Sequence, residues 1–223
     1  MRLLVAICVA FWLSAGSPAQ AGAWLREKGS GFTSLSFGLN RFEEGSQSLY
    51  FEYGLSEKMT IGLDVTTSTQ RSDFRDGQGH IFLRRQLWAN DGPHKLAYEI
   101  GIGGTIRDDA VLPTFKSGLS WGRGVQLYDR NGWVNVNAAF IYEPSLGEHI
   151  TKMDATFGLE LGQRTSGLVE LSLFHQHGDT YQAVEPSLLI RPKDSRFNFK
   201  VGAKIPFDDQ DKSSLRLAVW HSF

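Results

Sequence analysis

The sequence has a single cysteine, Cys8, and it lies in the opening apolar stretch. Beyond that stretch there is no thiol, so a disulfide framework and cysteine metal ligation are both excluded. Proline is scarce too, 7 residues against 24 glycines, and with 41% hydrophobic and 21% charged residues the chain is too apolar for disorder and too aperiodic for collagen. A formal net charge of −1 lacks the basic surplus of a nucleic-acid binder. After the first twenty residues no apolar run is long enough to span a bilayer as a helix. If such a chain enters a membrane it does so as a closed barrel, because hydrocarbon leaves an open sheet edge unpaired.

The opening stretch reads as an export leader. Arg2 is its positive end, Leu3 to Leu13 its apolar run, and Ala19-Gln20-Ala21 a small-x-small cleavage signal, so residues 1–21 are expected to be removed ahead of Gly22. Residues 22–30 are then a short N-terminal periplasmic segment, and 31–223 the folded body.

That body alternates with period two in about twelve segments near ten residues long, among them Gln47 to Gly54, Gly79 to Trp88, Thr114 to Tyr128 and Gln182 to Ile190. Compact turns such as Asp129-Arg130-Asn131-Gly132 are expected after even-numbered segments. Longer polar loops, such as Ser68 to Gln78 and Glu143 to Thr151, are expected after odd-numbered ones. Charge falls on one phase. In five clean segments the phase holding Leu63, Ile100, Phe157, Val201 and Leu217 has no Asp, Glu, Lys or Arg in 23 positions, whereas the interleaved phase has seven in 19. The fold class expected is therefore all-β: a transmembrane antiparallel β-barrel of about 12 strands, apolar outside and charged within. Tyr53, Trp88, Tyr128, Trp133 and Tyr142 stand near segment ends as candidates for interfacial girdles.

The last ten residues, Ser214-Leu215-Arg216-Leu217-Ala218-Val219-Trp220-His221-Ser222-Phe223, resemble the C-terminal signature of Gram-negative outer-membrane β-barrel proteins. Leu215, Leu217, Val219 and Phe223 carry the likeness, and His221 departs from the aromatic residue usual at its place. The resemblance implies residence in the bacterial outer membrane, contact with its lipid, and recognition by the barrel-assembly machinery.

On the charged phase the expected pore lining is Asp64, Glu99, Lys116, Asp154, Glu160, Glu170, Glu185, Lys200, Lys204 and Arg216, with Glu52 and Arg84 on the same face. Acids gather in segments eight to ten and bases in eleven and twelve. Such segregation either sets a transverse field that biases passage of small polar solutes or pairs across the lumen and plugs it. The function read from this is a narrow, porin-like passive channel for small polar solutes, or a structural barrel. No cofactor and no metal site is expected, and the glycines of Gly101-Ile102-Gly103-Gly104 and Gly122-Arg123-Gly124 precede no helical pattern and are not nucleotide fingerprints. Two other classes stay open: a hydrolase at the outer rim using His175, His177 and Asp179, and a soluble periplasmic lipid-binding β-protein.

Overall fold

The computed structural model describes residues 22–71, 73–87, 93–107, 110–176 and 178–223. The expected leader lies outside them, as do Trp88 and His177. Twelve antiparallel strands run in chain order: β1 (Gly31–Asn40), β2 (Glu44–Ser56), β3 (Met59–Gln70), β4 (Asp73–Gln86), β5 (His94–Arg107), β6 (Ala110–Leu127), β7 (Arg130–Glu143), β8 (Glu148–Gly162), β9 (Thr165–Gln176), β10 (Asp179–Ile190), β11 (Phe197–Pro206) and β12 (Ser214–Ser222). Each pairs with its chain neighbours, and β1 pairs with β12 from Phe32↔Ser222 to Asn40↔Ser214, so the sheet closes on itself. Beyond that ladder, Gly31 and Phe223 exchange two backbone hydrogen bonds of 2.7 and 3.0 Å. Closure leaves no unpaired edge, the condition for an all-β chain to cross hydrocarbon.

The strands are longer than alternation alone suggests. Ser68 to Gln78, read above as a loop, is largely ladder: Thr69 pairs with Phe74 and Gln70 with Asp73. Polar side chains report the solvent a segment meets, but its backbone N–H and C=O groups still gain by pairing. Loops after odd-numbered strands are consequently short, 41–43 and 144–147 for instance, while 207–213 keeps its length around a single turn of 3₁₀ helix at Gln210–Lys212. The turn expected over Asp129-Arg130-Asn131-Gly132 is tighter and earlier, on Tyr128 and Asp129, both with positive φ (47° and 62°), and Gln126 pairs with Asn131.

Alternation assigns the two faces throughout. Leu35, Ile100, Ile102, Phe115, Leu119, Leu171 and Leu217 are exposed on the exterior, while His80, Phe82, Arg84, Glu99 and Lys116 are buried inside. A soluble lipid-binding barrel would show the reverse, with apolar residues lining the cavity and polar ones outside. At the end where the chain starts β1 and finishes β12, which we call the turn end, Phe223 stacks on His221 (5.4 Å between ring centroids) and His221 on Phe197 (5.0 Å). His221 thus takes the place of an aromatic ring in a small outer cluster.

Residues 22–26 run inside the barrel at this end, and 27–29 are exposed at its mouth. A parallel bridge joins Lys28 to Gly54, the Gly29 N–H donates to the Gly54 carbonyl (2.9 Å), and the Gly54 N–H donates to the Ser30 carbonyl (3.0 Å).

Candidate functional site

Two regions share the lumen. At the turn end the inward phase carries rings: Trp133, Leu168 and Leu189 form a buried core against which Trp24 and Trp220 pack. Phe32 meets Trp220 edge-on (5.7 Å) and Tyr50 stacks on Phe82 (6.0 Å). Trp133 is therefore no girdle residue; its phase is that of Asn135 and Asn137, and it points inward. Tyr128 and Tyr142 are exposed at opposite ends of the exterior.

Above this core the lumen opens into a cavity of about 330 Å³ lined by hydroxyls, amides and charges, including Ser34, Ser36, Ser48, Tyr50, Asn135, Asn137, Thr156 and Ser172. Of the residues expected to line a pore, Asp64, Glu99, Lys116, Asp154 and Glu170 border this cavity. Glu170, Glu185, Lys200, Lys204 and Arg216 border a second of about 240 Å³ beside β9–β12. Glu160 lies nearer the turn end and lines neither. Lys152, on the phase of Asp154, also lines the larger cavity; its place at the start of a segment hid it from the sequence reading.

The charges do not oppose one another across the lumen. They pair along the wall, between strands that are adjacent or two or three places apart, in two networks. On β2–β6, Arg84 donates to Glu52 and to Glu99 (2.7 Å), Lys116 reaches Glu99 (3.0 Å) and Asp64 (3.3 Å), and the Tyr50 hydroxyl donates to Glu52 (2.5 Å). Arg26 of the N-terminal segment joins them through its Nε, 2.7 Å from Glu52. On β9–β12, Lys200 bridges Glu170 and Glu185 (2.8 Å to the latter), and Arg216 approaches Glu185 at 3.5 Å and donates to Ser46. Each network balances its own charge, three cations with three anions and two with two, as groups removed from bulk water require. Outside both stand Lys152, which donates to Gln78 (2.6 Å) and lies over the Phe174 ring, and Lys204, over the Tyr181 ring at 5.1 Å. Asp154, on the lining of the larger cavity, is likewise outside both networks.

Of the rim constellation, Asp179 opens β10 and His175 lies near the end of β9. His175 Nδ1 lies 2.9 Å from the Thr180 hydroxyl on the outward phase, and no group of three His, Cys, Asp or Glu suited to a metal occurs among the described residues. His177 lies outside them.

A closed twelve-stranded sheet, apolar outside and charged within, is the architecture of an outer-membrane β-barrel. No family model matches the chain, and neither does any curated protein. Solved structures do match. The NanC porin aligns over 86% of this chain and 98% of its own with a TM-score of 0.60 at 7% identity. The KdgM porin aligns over 86% and 99%, with a TM-score of 0.58 at 9% identity. An outer-membrane channel from Pseudomonas putida F1 covers 93% of this chain and 99% of its own, with a TM-score of 0.51 at 11% identity. At these identities the likeness is one of fold.

Proposed function

We propose that the barrel is a narrow passive channel of the outer membrane for small polar solutes. The observation that carries this reading is the lining of the lumen: above the aromatic core, hydroxyls, amides and two charges outside the ion-pair networks, Lys152 and Asp154, line the larger cavity, and Lys204 borders the smaller one. Such a surface replaces a solute's hydration shell with hydrogen bonds and holds it by a few weak contacts, which is what conduction requires. The fold neighbours agree with it, and one solved KdgM structure holds disordered oligogalacturonate. The outward belt is the face that meets lipid. Leu215, Leu217, Val219 and Phe223 are the surface the assembly machinery reads, and residues 1–21 are a leader removed ahead of Gly22. Liposome swelling with sugars and amino acids of increasing size tests the channel, using the purified protein and a variant lacking residues 22–29. Uptake that falls with solute size supports it. If neither protein admits any solute while both shift in gel mobility on heating, the barrel is structural.

A further inference from the structure

We propose that residues 22–30 form a displaceable stopper of the lumen and that Arg26 is its latch; the proposal rests on the reading of the lumen as a solute path. Ala23 is 1% exposed and donates its N–H to Asn135 Oδ1 (3.2 Å). Trp24 packs on the core of Trp133, Leu168 and Leu189 and fills the space beside Gly122. Arg26 donates its backbone N–H to Thr60 Oγ1 (3.0 Å) and its Nε to Glu52 (2.7 Å), with its guanidinium over the Phe32 ring at 4.6 Å. The segment therefore shares the turn end of the lumen with that core, and Gly22 at its tip lines the larger cavity.

Three features mark it as removable. It belongs to neither strand of the closing ladder, so its departure leaves β1–β12 paired. Arg84 and Tyr50 still hold Glu52 Oε1 once Arg26 has gone, so the wall network stays joined, and Oε2 is left to the water that takes the place of Arg26. The seat is also imperfectly filled: Arg26 Nη2 and Asn137 Oδ1 are both buried without a hydrogen-bond partner, and withdrawal would give each of them water. Gly29, in the left-handed region at φ +84° with open space around it, is the joint about which the segment can turn.

The test uses the chain's lack of cysteine after Cys8. In folded, heat-modifiable protein, Ala23→Cys is reacted with a bulky hydrophilic maleimide, alone and combined with Arg26→Gln or Arg26→Lys, and single-channel current is recorded for Arg26→Gln and for the variant lacking residues 22–29. Labelling is expected to be slow in Ala23→Cys, about tenfold faster with Arg26→Gln, as loss of a charge-assisted hydrogen bond implies, and intermediate with Arg26→Lys. Open time should rise in the same order and be greatest in the deletion. Labelling as slow with Arg26→Gln as without it overturns the latch, and current in the deletion equal to wild type overturns the stopper while leaving the channel standing. Fast labelling with no current in any variant overturns the solute path, and the stopper with it.

Discussion

Glu52 has no exposed surface, and both of its oxygens are occupied, one by Arg84 and Tyr50 and the other by Arg26. Arg84 in turn joins Glu52 to Glu99, so Arg84→Met takes the shared cation from two buried carboxylates at once, leaving Glu52 to Arg26 and Tyr50 and Glu99 to Lys116. We expect it to destabilise the folded barrel by about 3–5 kcal/mol, the usual cost of breaking a buried pair from one side, measured as urea unfolding in lipid. On the exterior the logic is solvation alone: Ile100, 58% exposed halfway along β5, should cost about 2–4 kcal/mol when changed to Arg. The two faces were legible residue by residue because charge is excluded from one of them, and that placed Asp64, Glu99, Lys116, Glu170 and Lys200 inward. Arg26 was not, since a coil segment has no phase to read. Trp133 misled because a girdle tryptophan and a lumen tryptophan occupy the same stretch of strand, and only the parity shared with Asn135 separates them.

At the scale of the element, alternation yields the number of strands but not their ends. Polar residues in Ser68 to Gln78 and in Asp129-Arg130-Asn131-Gly132 both signal turns, yet the ladder takes in most of the first stretch and the last three residues of the second. The β6–β7 turn is built on Tyr128 and Asp129, and Tyr128 lacks the tolerance of positive φ that glycine, asparagine and aspartate have. Tyr128→Asn relieves part of that strain and should raise stability by about 0.5–1 kcal/mol, read as a shift in urea midpoint with unchanged slope. β10 has a weaker place of its own. Its ladder with β11 passes from Val184↔Ile205 to Ser187↔Gly202, skipping Glu185 and Pro186, because proline has no N–H to give. Nothing in the alternation predicts which neighbour loses the bond.

For the whole molecule, closure governs behaviour: the last strand returns to the first, so detergent alone finds no edge from which to peel the sheet. Unboiled protein should therefore migrate differently from boiled protein in detergent gels, and a variant ending at Trp220 should lose the difference, since the Gly31–Phe223 bonds and the aromatic cluster around His221 go with it. A last consequence follows from where large rings lie. Phe82 stands directly opposite Gly62, Trp133 opposite Gly158, and Phe223 against Gly31, each ring covering the space a Cβ would need. A slip of one residue between strands is forbidden by the two faces, since it would turn every charge outward. A slip of two keeps the faces, but it would drive Phe82 onto Thr60 or Asp64, and Trp133 onto Thr156 or Glu160. Gly158→Val should accordingly reduce the yield of heat-modifiable protein on refolding. The β3–β4 and β7–β8 hairpins each carry their own alignment before the cylinder exists, leaving the Phe223 ring on Gly31 to verify the final join.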